Sequence, residues 1–148
     1  MKIAAIQLVD SANREQNVSR AIHWVRSAAN AGAELILLPE MFMTVCFVYE
    51  ESEDRFPLAE PLTSPTMTKI CRLAREVQSI LMIPFFERST SGRFYNRIAG
   101  STIMANSWGI IEKGIFHRVE IKDLGERFYF VPGAESHPFS KRRWPMSE

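Results

Sequence analysis

Cysteine is scarce in this chain: Cys46 and Cys71 are the only two among 148 residues. They read as free thiols rather than a disulfide, and their spacing carries no metal motif. Excess charge is lacking too. Eighteen Lys and Arg stand against 17 Asp and Glu, a formal net charge of +1, so no global field recruits nucleic acid or an anionic membrane. The only basic cluster, Lys141, Arg142 and Arg143, reads as a solvated chain end. No stretch reaches the ~18 consecutive apolar residues of a membrane span. At the N-terminus, Lys2 precedes a short apolar run closed by Asp10, without the apolar stretch and small-residue cleavage site of a signal peptide; the expected location is cytoplasmic. Internal repeats and low-complexity linkers are absent as well. What remains is the size of one ordinary domain, long enough to bury about 68–70% of its unfolded surface if it folds as a self-contained unit.

The first two-thirds of the chain alternate strand-like and helix-like patterns. "KIAAIQLV" (Lys2 to Val9) is an apolar, strand-like run. A helix follows. Asn13 with Gln16 three residues on resembles a capping box, Val18, Ala21, Ile22, Val25 and Ala28 recur at helical spacing, and Gly32 fits a left-handed stop. His23 falls off that stripe and is expected to be exposed. After a second strand, Glu34 to Leu38, a second helix has Ser64 as N-cap, Pro65 in its first turn, and Met67, Ile70, Cys71, Ala74 and Val77 on one face. "SILMIPFFE" is a third apolar strand, ending in a proline and Glu87. Three strands alternating with two helices imply right-handed crossovers and a parallel sheet. Beyond Glu87 the pattern changes to a meander: "RSTSGR" a turn, "FYNRIAGSTIMA" a strand, "NSWG" a turn and "IIEKGIFHRVEI" another strand. The expected division is a domain part over residues 1–133 and an irregular tail over 134–148.

One stretch raises a chemical question. In "GAELILLPEMFMT", Leu35 to Leu38 form an unbroken apolar run, as in a strand buried on both faces, and Pro39 then delivers Glu40. Ligands bind at the carboxyl ends of strands in open α/β sheets, and the fixed φ of Pro39 stiffens the mount. Residue type and spacing leave two readings open: a site carboxylate, or a solvated carboxylate at a loop or helix start.

The motifs "MKIAAIQL", "GAELILLPEMF", "PLTSPTMTKICRLARE", "MIPFFER", "FYNRIAGSTI" and "ERFYFVPG", in this order, resemble the nitrilase, or carbon–nitrogen hydrolase, superfamily, especially its N-carbamoyl amidase branch. The resemblance implies an α/β fold, the N-terminal part of a nitrilase-like α-β-β-α sandwich, left incomplete. It also implies a Glu–Lys–Cys set acting without a cofactor on small-molecule amides or N-carbamoyl compounds. A thiolate attacks the carbonyl carbon, the glutamate takes the thiol proton and later activates water, and the lysine steadies the tetrahedral intermediate. Glu40 stands at the glutamate position, where burial at an apolar strand end beside Phe42 is expected to raise its pKa.

Two departures bear on activity. Where the family has its lysine, "FHRVEIKD" places Arg118, with Lys122 four residues on as an alternative donor; each reads equally well as a surface charge on a strand edge. An arginine fork donates to an oxyanion but is not equivalent to an ammonium. The family's Cys-x-x-x-x-Phe-Pro-Glu motif, which carries the nucleophile, does not occur in the 148 residues. Cys46, between Val45 and Phe47, reads as a small buried hydrophobe rather than a substitute. The chain by itself is therefore expected to be inactive, and its last residues, where the family pattern stops after Gly133, to come from a truncated or altered reading frame. Open strand edges point to a homo-oligomer. The rival reading is a non-catalytic binding or regulatory module, or a partner of a full-length homologue.

Overall fold

The computed structural model describes residues 1–101, 107–112, 126–130 and 140–143. The chain opens with strand β1 (Ile3–Ala5), helix α1 (Arg14–Asn30), strand β2 (Leu35–Leu37), helix α2 (Pro65–Glu76) and strand β3 (Ile80–Arg88). Both helices start where a side chain supplies a missing acceptor. The Asn13 carboxamide accepts the Gln16 N–H at 3.0 Å, and the Ser64 hydroxyl accepts the Met67 N–H at 3.2 Å, with Pro65 following in the first turn. Gly32, at φ 85°, ends α1 in the left-handed turn expected of it. After α2 the same region is occupied by Gln78, at φ 52°, a conformation that costs a side-chain-bearing residue free energy.

β1, β2 and β3 pair in parallel, with Ile3, Ala4 and Ala5 opposite Leu35, Ile36 and Leu37, and these opposite Ile80, Leu81 and Met82. The alternation along each strand puts Ile36, Leu81, Ile83 and Phe85 on one face, where Val18, Ala21, Ile22 and Val25 of α1 and Met67, Ile70, Leu73 and Ala74 of α2 close over them. Fully burying one such aliphatic side chain is worth roughly 1.5–3 kcal/mol, so this layer is the main source of stability. The expected burial of Leu35–Leu38 on both faces is not what forms: Ile36 and Leu38 are buried, but Leu37, on the face opposite the helices, is 39% exposed. Both early strands are also shorter than the apolar runs suggested, because their ladders set their lengths. His23 is exposed, and Cys71 is half-buried against the core.

From β3 onward the sheet is an antiparallel meander: β4 (Phe94–Ser101), β5 (Ser107–Glu112) and β6 (Ser140–Arg143), giving the order β1-β2-β3-β4-β5-β6. The β3–β4 turn closes on Gly92 at φ 76°, whose N–H donates to the Ser89 carbonyl. Two expectations need correction. Ser107–Gly109 belong to β5 rather than to a turn. Ser140–Arg143, inside the segment read as an irregular tail, pair with Ser107–Ile110, so the backbone of the Lys141–Arg143 cluster is part of the sheet. The third strand, expected over Ser79 to Glu87, forms as Ile80–Arg88 and runs through its proline. Pro84 falls between Met82, whose carbonyl accepts from Leu38, and Phe86, whose carbonyl accepts from Glu60. Its missing N–H thus lies in a gap on the β2 side of the strand, and the strand continues to Arg88.

A second buried cluster forms where Met41, Phe47, Val48, Ala59 and Phe86 meet Tyr129 and Phe130, at the end of the short helix α3 (Glu126–Tyr129). The rings pack edge to face: Phe47 and Tyr129 lie 4.9 Å apart at 77°, Phe86 and Phe130 5.3 Å apart at 87°. The Tyr129 hydroxyl accepts the Ser52 N–H at 2.8 Å and donates to the Glu50 carbonyl. The aromatic run of "ERFYFVPG" is therefore a core-forming segment over Tyr129 and Phe130, whereas its Pro132–Gly133 turn lies outside the described residues. Among the described residues no helix is long and apolar enough to cross a membrane.

Candidate active site

Glu40 follows the carboxyl end of β2 in a tight turn. The residues around it are shared between the two clusters: Leu38, Phe42 and Met43 are buried in the aliphatic one, Met41 in the aromatic one. Met41 has φ 55°, in the left-handed region, and only such a reversal sends one side chain to the second cluster while its neighbours stay in the first. The cost, of order 1–2 kcal/mol, is met by burial on both sides. Glu40 thus leaves a backbone held at both ends.

Glu40 itself is exposed, and Phe42 is 3% exposed within the aliphatic core. The expected burial of the carboxylate is corrected: the apolar strand end is consumed in packing against the helices, and the turn lifts Glu40 clear of it. One partner, found among the described residues, is a residue that sequence reading missed. The buried Asn96, on β4, donates its Nδ2–H to Glu40 Oε1 at 2.5 Å, across 56 positions of sequence. Asn96 lies opposite Phe86 in the β3–β4 ladder, and its neighbour Arg97, on the other face, forms a buried ion pair with Glu87. Glu87 is thus buried in an ion pair, whereas Glu40 is exposed. Arg97 also lies over the Tyr95 ring, 4.2 Å from its centroid.

Glu40 lines a cavity of about 240 Å³ at the carboxyl ends of β1 and β2, together with Leu8, Asp10, Thr44 and Cys46. Cys46 is exposed, not the buried hydrophobe expected of it, because the segment after Met43 runs out along the cavity rim. Its N–H donates to Asp10 Oδ2 at 3.3 Å. Among the described residues, the charged side chains sharing its cavity are Asp10 and Glu40. The other thiol, Cys71, is pushed above its ordinary pKa by burial, with Arg75 pulling weakly the other way. Asn17, 2% exposed, braces the site from α1: its Nδ2 donates to the Ser11 carbonyl at 2.7 Å and reaches the Met43 carbonyl at 3.4 Å, and its Oδ1 accepts from the Ser11 N–H and hydroxyl. Arg14 adds an ion pair to Glu60 and a bond to Thr66 Oγ1 at 3.3 Å, joining the start of α1 to the start of α2. Neither Asn17 nor Asn96 carries a sequence signal, since a lone asparagine inside a helix or strand reads as a polar surface position.

A larger groove of about 670 Å³ runs between α1 and α2, past Arg26, Arg72 and Glu76, and shares no lining residue with the Glu40 cavity. Among the described residues no three His, Cys, Asp or Glu side chains gather as a metal site. Arg118 and Lys122 lie outside the described residues.

This architecture, a sheet with helices on one face and a strand-end glutamate at a cavity, accompanies a match of residues 2–142 to the carbon–nitrogen hydrolase family, and the chain belongs to that family. The N-carbamoylputrescine amidase of Arabidopsis thaliana is 32% identical over 132 residues, covering 88% of this chain and 43% of the relative. The citrullinase of Francisella tularensis is 30% identical over 138 residues, covering 90% and 46%. A crystal structure of a carbon–nitrogen hydrolase from Helicobacter pylori superposes with a TM-score of 0.75 at 21% identity, over 89% of this chain and 44% of that one; the likeness is one of fold. The chain therefore spans less than half the length of these relatives, as the reading of an incomplete nitrilase-like domain expected.

Proposed function

We propose that this chain is the general-base-bearing N-terminal part of a hydrolase of non-peptide carbon–nitrogen bonds in small amides or N-carbamoyl compounds, without hydrolytic activity by itself. One observation carries the reading: Glu40, the residue at the family's glutamate position, stands on a turn held by two cores at the wall of a strand-end cavity. In the completed site Glu40 takes the proton of a cysteine thiol as the sulfur bonds to the carbonyl carbon, and Arg118, or Lys122 in its place, donates to the oxyanion. Collapse of the intermediate expels the amine, which takes the proton that Glu40 accepted from the thiol, and the regenerated Glu40 carboxylate then deprotonates the water that frees the acyl group. The cysteine comes from sequence or a partner chain outside these 148 residues. Magnitudes rank the two departures. An imperfect oxyanion donor costs about 10²–10³ in rate, whereas loss of a nucleophile has cost on the order of 10⁶.

The test is ammonia release from a panel of N-carbamoyl compounds and simple amides. The chain alone is expected to release none. Mixed with the cysteine-bearing C-terminal part of a family member, it is expected to gain activity that Glu40→Gln abolishes. Release by the chain alone, lost on Cys46→Ala, would overturn the assignment. No complementation by any family member, combined with co-purification of an intact homologue, would favour the non-catalytic partner reading, which the missing cysteine motif also supports.

We also propose a cytoplasmic homo-oligomer. β1 is the edge of the described sheet and carries Ile3, 61% exposed, beside Leu37 of β2. A clean monomer by light scattering at about tens of micromolar counts against it.

A further inference from the structure

We infer that Asn96 is a positioning residue for Glu40: its carboxamide holds one carboxylate oxygen and favours the ionised, proton-accepting form. The inference rests on reading Glu40 as the general base. An ionised carboxylate has only acceptors, so the amide must turn its Nδ2 towards it, as it does at 2.5 Å. Bonds to a charged group are shorter and stronger than neutral ones, so the bond from Asn96 stabilises the carboxylate over the protonated acid. The donor is also rigidly placed. Asn96 is 6% exposed, its backbone is fixed opposite Phe86, and Phe86 is buried against Phe94, two residues before Asn96. On the opposite face of the strand, Arg97 is anchored to Glu87.

The acceptor is the mobile party by comparison, because Glu40 is an exposed side chain on a turn. Its backbone direction is set by Met41 and its neighbours, and the bond from Asn96 restricts its χ angles. Such a bond disfavours rotamers that point away from Asn96, which is the preorganisation a proton acceptor needs. Asn96 thus acts through Glu40 and is not itself placed to touch a substrate. A buried asparagine with only a packing role would bond to nearby backbone, as Asn17 does with Ser11.

The ionisation of Glu40 tests this without any turnover. In the wild-type chain, the Glu40 side-chain carbon signal, identified by its loss in Glu40→Gln, is followed against pH by NMR together with the Asn96 side-chain amide protons. The two are expected to titrate with one common midpoint, and the amide response is expected to vanish in Glu40→Gln. Asn96→Ala is expected to move the Glu40 midpoint upward by roughly half to one pH unit. Asn96→Asp, which keeps the shape, is expected to move it further, because two adjoining carboxyls do not ionise together. Amide protons that ignore the Glu40 titration overturn the inference even if neither variant folds, and so does an unchanged midpoint in a folded variant. If the completed protein hydrolyses no amide although the titrations are linked, the hydrolase reading fails while the bond between Asn96 and Glu40 stands.

Discussion

Around β1, β2 and β3 the buried side chains come from elements that follow one another along the chain, strand then helix then strand, and they are mostly aliphatic. Around Phe86 they come from separated segments: Met41, Phe47 and Val48 after β2, Phe86 in β3, and Tyr129 and Phe130 far downstream. The first layer rests on alternation and helical spacing, each element contributing a complete apolar face. The second has no such periodicity; single large rings from separate segments fill one volume, and the Tyr129 hydroxyl ties the 50–52 backbone to it. Glu40 lies on the seam. Leu38 and Phe42 answer to one cluster and Met41 to the other, so the position of the carboxylate reports on both.

Three perturbations separate the two regions. The largest effect is expected from Ile36→Ala. Ile36 is 0% exposed in the central parallel strand, and the loss of its side chain should lower stability by about 2–5 kcal/mol in denaturant unfolding; a change below about 1 kcal/mol would show that this layer tolerates collapse. Tyr129→Phe keeps the ring and deletes the hydroxyl. About 1 kcal/mol is expected, concentrated in faster hydrogen exchange at the Ser52 amide, while a uniform loss across the sheet would mean that the aromatic cluster is not a separate unit.

The smallest effect lies outside both clusters, at the exposed pair where Glu76 bridges to Arg26 Nε at 2.9 Å. The hydrogen bond from Arg26 holds the Glu76 carboxyl below its ordinary pKa; burial opposes it, and the charge of Arg26 adds a smaller lowering. A depressed folded value means that the pair stabilises above the unfolded carboxylate value of about 4.3, and that this contribution fades as pH falls through the folded value. The stability difference between wild type and Glu76→Gln is therefore expected to be slight at neutral pH, to disappear in acid, and to be erased at about 1 M salt. A difference that persists in acid would point to packing instead.

The helices were legible because their signals are local. Asn13 with Gln16, Ser64 with Pro65 and the stop at Gly32 each lie within a few residues of what they control, and the apolar stripes of α1 and α2 face the sheet as their spacing implies. Strand limits were less legible, since a ladder ends where its partner ends: β1 stops at Ala5 although apolar residues continue to Val9. The strand at Ser140–Arg143 was not legible at all, because its sequence has neither alternation nor β-branched residues and its pairing with β5 is made by the backbone. At the candidate site, the place of Glu40 at a strand end followed from the apolar run and proline. Its exposure and its bond to Asn96 did not, since both depend on how β4 lies beyond β3.

The strand order of the described sheet is the order of synthesis, from β1 at one edge to β6 at the other. Each strand that emerges from a ribosome finds its neighbour already made, and no early strand waits for a distant one. The sheet can therefore grow in one direction during translation, with α1 and α2 laid down as each parallel strand is added, so that Glu40 stands at its strand end before the arrival of Asn96 fixes its side chain.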